Sequence, residues 1–167
     1  QDERVLLLDE IIHDELELIR RPDGSTGWYL TAKRPIHAEN GTVVGLVSIS
    51  RDLITPNASG IAVESLEPIV AAVRRGIDGV IMIGDLAAIA DCSPGQLDRR
   101  MKKVFGLTAA QYVLKARIDR AANLLQRSDE SVATVAAASG FYDQAAFTKQ
   151  FVRLVGETPT QFQSHPG

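Results

Sequence analysis

One cysteine, Cys92, stands alone among 167 residues, which excludes an intramolecular disulfide. The three histidines, His13, His37 and His165, are scattered without ligand spacing and give no metal site. No apolar run of about 20 residues and no signal peptide are found, so a cytoplasmic protein without membrane contact is expected. Low-complexity tracts are also missing. A net charge of −3 and a pI near 5.6 argue against non-specific polycation binding. That charge is unevenly divided. Residues 1–61 hold 6 Lys and Arg against 10 Asp and Glu, whereas residues 62–167 hold 12 against 11. The first part is therefore acidic at −4 and the second nearly neutral at +1, with its cations gathered on helices.

What is present organises into two kinds of sequence. In residues 131–162, Val132, Val135 and Ala136 recur at helical spacing, Gly140 interrupts them, and Phe147, Phe151 and Leu154 restart the pattern at i, i+4, i+7. The interruption predicts a tight turn, since Gly140 can take a positive φ and Phe141 can plug the angle beneath it. The same grammar appears in residues 85–106, where Leu86, Ala87 and Ala90 form one stripe and Leu97, Met101 and Val104 another. There Ser93 is an expected N-cap with Pro94 at the first helical position, and Asp91 takes the place of a turn glycine. Residues 108–127 contain no Gly or Pro and predict one continuous helix of about 30 Å between the pairs. That length is close to the ~34 Å separating successive major-groove faces of DNA.

These residues resemble the DNA-binding domain of the AraC/XylS family of transcription regulators, over roughly Ile69 to Phe162. The resemblance is carried by DLAAIA, by S-x-x-x-L-x-R at Ser93, Leu97 and Arg99, and by Arg117-Ile118 with Ala121 and Leu124-Leu125. Its most specific part is GFYDQAAF followed by F-x-x-x-x-GETP. It implies a unit that reads two adjacent major-groove segments of double-stranded DNA, regulates transcription initiation, and has RNA polymerase as a partner. By position it gives Gly95, Asp98 and Arg99 as base-facing in the first pair, and Gln144, Ala145, Thr148 and Lys149 in the second. Gly95, Gln96, Arg99, Lys102 and Lys103 also fall on the face opposite Leu97, Met101 and Val104. Together with Ser93, these form the candidate DNA-binding set.

Arg99 is suited to guanine through a bidentate fork, and Gln144 to adenine. Lys102 and Lys103 fit phosphate. The sequence departs from the family at three places. Lys149 replaces an arginine and loses the fork, Met101 replaces an aromatic residue, and Gly95 offers no side chain.

Residues 1–54 carry the hairpin signals Asp23-Gly24 and Asn40-Gly41, which predict a three-stranded antiparallel meander at about 15–21, 27–36 and 42–51. The segments ELELIRRPDG, GWYLTAKRPI and NGTVVGLVSISRDLI, with Gly45, Arg51 and Asp52 in a G-x-x-x-x-x-R-D pattern, are similar to the C-terminal half of a PAS sensory domain. The chain starts at Gln1 inside a helical run that includes Val5, Leu6 and Leu7, and reads as a fragment of a longer protein. One sheet face is then expected to lack cover and to mediate homodimerisation. A haem, flavin or small-molecule ligand on the missing PAS helices lies beyond this sequence. Cys92 lies in the helical half, so no flavin adduct forms through the residues present.

The expected fold class is α+β, with a partial PAS-like module at 1–54, a polar linker at 55–61, and a tandem helix-turn-helix domain at 62–167. A sensor-coupled transcription regulator follows, and not an enzyme, because nothing with catalytic spacing accompanies Cys92. The alternative reading is an assembly module whose helical domain no longer binds DNA, consistent with the near-neutral charge and Gly95.

Overall fold

The computed structural model describes residues 2–20, 26–52 and 66–164. They form two compact units, a sheet unit that includes residues 2–20 and 26–52 and a helical unit that includes residues 66–152. The fold is mixed, an antiparallel sheet with helices. The Asp23-Gly24 hairpin signal and the 55–61 linker lie outside the described residues.

In the sheet unit, helix α1 (Asp2–Leu8) precedes strands β1 (Ile12–Arg20), β2 (Thr26–His37) and β3 (Val43–Asp52), paired antiparallel in the order β1-β2-β3. β1 begins earlier than its alternation suggested because the register shifts between Ile12 and Glu15. That irregularity breaks the period of two, so regular alternation becomes visible only further along the strand. Between β2 and β3, Gly41 has φ 82° and Asn40 Oδ1 accepts from both the backbone N and Oγ1 of Thr42, at 3.1 and 2.7 Å. The Asn-Gly signal thus closes the turn as its chemistry predicts.

The two sheet faces differ. On one, Leu16 pairs with Leu30 and Leu18 with Trp28, all buried. The β3 end of that face is open: Ile36, Val47 and Ile49 are 46%, 47% and 72% exposed. Among the described residues, this corner of the face lacks cover. On the opposite face, Thr31 Oγ1 donates to Glu17 Oε2 at 2.7 Å and is hydrogen-bonded to Ser50 Oγ at 3.0 Å. Lys33 Nζ donates to Asp2 Oδ1 at 2.7 Å and to Glu17 Oε1 at 3.4 Å, tying α1 to the sheet. Burial pulls the Lys33 ammonium down, but the hydrogen bond to Asp2 and the charge of Glu17 outweigh it. Its pKa consequently lies above the ordinary 10.5. The resulting stabilisation is present below the ordinary lysine value and is lost as pH rises through the raised one. Only Val5 of α1 is fully buried, while Leu6, Leu7 and Leu8 face solvent.

The helical unit runs α2 (Glu67–Arg75), α3 (Ile83–Ile89), α4 (Pro94–Phe105), α5 (Ala109–Arg127), α6 (Val132–Ala138), α7 (Gln144–Val155) and α8 (Pro159–Ser164). No described helix is long and apolar enough to cross a membrane. Helix α5 spans 19 residues, or about 28 Å. Thr108, expected inside it, is instead its N-cap and shares a capping box with Gln111. The first half of α5 places Ala109 and Val113 in a core with Ile69, Val73, Leu86, Leu97 and Met101. The second half buries Ile118, Ala121, Ala122 and Leu125 and contacts α6 and α8.

A chain of rings fills the second core. Phe141, Phe147, Phe151 and Phe162 follow one another at centroid distances of 5.1, 5.3 and 5.4 Å. Phe151 stands between two of these rings and is fully buried. Phe151→Ala is expected to cost about 3–5 kcal/mol. Denaturant unfolding followed by helical circular dichroism measures this, and a loss below about 1 kcal/mol would contradict the packing described.

Candidate nucleic-acid interface

Each helix pair turns by the same device. Between α3 and α4, Asp91 has φ 45°, and the Cys92 N–H donates to Ala87 O at 3.0 Å. Between α6 and α7, Gly140 has φ 76°, and the Phe141 N–H donates to Ala136 O at 3.1 Å. In both, a left-handed residue ends the first helix while the next N–H closes back onto the final turn. Asp91 performs in one pair what Gly140 performs in the other. Cys92 packs, half-buried, against the apolar core of the first pair as a small hydrophobe.

After the turn, the second helix of each pair has one face sealed and one open. In α4, Leu97 and Met101 are fully buried, and Met101 fills its site without an aromatic ring. Gly95, Gln96, Arg99, Lys102 and Lys103 are exposed. A Cβ built on Gly95 meets nothing within 4 Å, so packing does not require glycine there. In α7, Phe147, Phe151 and Leu154 are buried, whereas Gln144, Ala145 and Lys149 are exposed and Thr148 is half-buried. The structure thus places the cationic and amide candidates on the outward faces of α4 and α7.

Three candidates also have local structural work. Ser93 Oγ accepts from the Gln96 N–H at 3.3 Å, while Gln96 Oε1 accepts from the Ser93 N–H at 2.9 Å, a reciprocal capping box. Only the amide nitrogen of Gln96 remains as an outward donor. Asp98 is half-buried, and its Oδ1 accepts from the Ala109 N–H at 2.9 Å. That bond joins α4 to the start of α5 and turns the carboxylate inward. This bond spans 11 positions, and no local spacing rule would flag it.

Two further features of the interface have no counterpart in the sequence expectations. Asp143 Oδ1 accepts from the Ala146 N–H at 2.6 Å and so caps α7. Its place three residues before Ala146 was the signal available. Beside it, Tyr142 is 99% exposed at the entrance to α7. A fully solvated ring is costly to leave uncovered, and its hydroxyl can donate to a phosphate. Among the described residues no cluster of three or more metal-ligating side chains occurs.

The comparisons with known proteins agree with this geometry. A family model described as a helix-turn-helix domain matches residues 86–165. The probable transcriptional regulator LumQ of Photobacterium leiognathi is 34% identical over 91 residues, covering 54% of this chain and 37% of LumQ. The probable transcription factor PqrA of Proteus vulgaris is 35% identical over 85 residues, covering 51% of this chain and 70% of PqrA. Several other curated relatives are matched over only 32–49% of their own length. Among solved structures, the DNA-binding domain of the global transcriptional factor AdpA, in complex with a target DNA, superposes with a TM-score of 0.56 at 29% identity. That match covers 60% of this chain and 89% of the AdpA chain. With its two like helix pairs and these relatives, the chain belongs to the AraC-type helix-turn-helix family.

Proposed function

We propose that the protein is a sequence-specific transcription regulator whose helical unit binds double-stranded DNA through both helix pairs. Each pair acts as a helix-turn-helix, with α4 and α7 as the helices that enter successive major grooves. The observation that carries this reading is the repeated construction: two helices, each sealed on one face by buried apolar residues and open on the other with donors, connected by α5. The fold likeness to the AdpA domain, described in complex with its target DNA, supports it.

Within the proposal, Arg99 reads guanine in the first groove and Gln144 reads adenine in the second, with Ala145, Thr148 and Lys149 completing the contact surface of α7. Lys102 and Lys103 contact phosphates and set affinity. Asp98 is left out of the reading set, since its carboxylate holds the start of α5. Ser93 serves by capping α4, and Gly95 lets the backbone approach without a side chain. The sheet unit acts as a PAS-like module for sensing or dimerisation. The exposed corner of Ile36, Val47 and Ile49 supports the latter. Output from the DNA-bound protein passes to RNA polymerase.

Selection of bound sequences from a random duplex pool tests the reading, and recovery of a defined two-part site is expected. No enrichment would refute it. On the selected site, Arg99→Ala is expected to cost about 1–3 kcal/mol and to relax the preference at one base position. An unchanged binding profile would remove Arg99 from base reading. Lys102→Ala is expected to weaken binding to all sequences alike and to lower the salt slope by about one. A change in specificity at constant slope would contradict the phosphate assignment.

A further inference from the structure

Three distant segments of the helical unit meet at the middle of α5. Arg117, on that helix, donates from Nη2 to the carbonyl of Gly79 at 2.7 Å. Gly79 lies in the corner that leads from α2 into α3, so this bond ties α5 to the corner that immediately precedes the first helix pair. The same side chain also borders the second pair. A Cβ placed on Gly140 would lie 2.9 Å from Arg117 Nε and only 2.1 Å from the carbonyl oxygen of Ile77. The turn before α7 is thus pressed directly onto the corner before α3, with the guanidinium wedged between them.

Arg117 Nε is buried and has no hydrogen-bond partner among the described residues. Burial also pulls the guanidinium pKa below the ordinary arginine value. Stability alone would favour an apolar residue at such a place, because a charge that is desolvated and incompletely bonded costs energy. What the guanidinium supplies is a directed bond to one carbonyl from a planar group that fits the gap. One helical turn further along α5, Arg120 Nε donates to Ala138 O at 2.6 Å, tying the same stretch of helix to the end of α6.

We propose that Arg117 is a positioning residue that fixes the orientation of the two helix pairs relative to each other, and thereby the spacing of the two DNA segments the protein accepts. The inference rests on the two-pair reading of DNA given above. The physical demand behind it is strict. Moving one half of the site by a single base pair displaces it by about 3.4 Å and rotates it by about 35° around the duplex axis. A rigid joint cannot follow such a shift, whereas a loosened one can. The guanidinium, held against Gly79 on one side and Gly140 on the other, makes the joint rigid.

The test compares binding to the selected duplex with binding to duplexes carrying one base pair inserted or removed between the two contacted segments. Wild-type protein is expected to lose about tenfold or more in affinity for each altered spacing. Arg117→Met keeps a long stem in the gap and removes the bond to Gly79. It is expected to retain its helical circular dichroism and to narrow that penalty to about threefold or less. Arg117→Lys keeps the charge without the planar fork and is expected to relax the spacing in the same way. This second variant keeps the test decisive if the first does not fold.

A variant that binds every duplex more weakly by one common factor, with its spacing penalty intact, would overturn the inference and leave the DNA reading standing. Wild-type protein that selects no duplex would overturn the DNA reading and this inference together. Wild-type protein that binds a two-part site with no spacing penalty would overturn the inference alone.

Discussion

Two backbone positions of positive φ, Asp91 and Gly140, set the geometry on which the helical unit depends. Each ends a short helix abruptly and launches the next at an angle, so one face of the second helix is buried while the other looks outward. A side chain at Gly140 would collide with the Ile77 carbonyl, so this position is constrained by packing as well as by dihedral. Asp91 bears no such constraint and manages with the modest tolerance of aspartate for that region. The two turns are equivalent in hydrogen bonding and unequal in how closely the rest of the unit approaches them.

From this constraint the division of labour in α4 and α7 follows. Burial of Leu97, Met101, Phe147, Phe151 and Leu154 locks the helices in place. Arg99, Lys102, Lys103, Gln144 and Lys149 are thereby left outward without taking part in the core. A helix presented in this way needs no further rearrangement to enter a groove, so contact energy is not spent on ordering it. Helix α5 connects the two pairs. Its ends belong to different cores, and Arg117 and Arg120 bond outward from its centre to the first corner and to the second pair.

Local chemistry makes much of this legible in the sequence alone. The Ser93-Pro94 start, the Gly140 break, the uninterrupted stretch of α5 and the Asn40-Gly41 turn are each short-range patterns, and each is found where its spacing predicts. The start of β1 was obscured by an irregular register between Ile12 and Glu15, which no alternation rule describes. The roles of Asp98 and Arg117 were hidden for another reason: their bonds to Ala109 and Gly79 span 11 and 38 positions. The network of Lys33, Asp2 and Glu17 was hidden likewise, since it exists only once α1 lies on the sheet. Outward-facing residues were placed well by helical periodicity, but which of them also cap or brace the fold depended on tertiary contacts.

In the proposed reading, one helical unit contacts two stretches of one duplex face. Methylation protection of guanine N7 on the selected duplex tests it most directly, because that atom is accessible only from the major groove. Two patches of protection are expected about one helical turn apart, roughly 10 base pairs, on the same side of the DNA. A single patch, or protection that follows the minor groove, would contradict it.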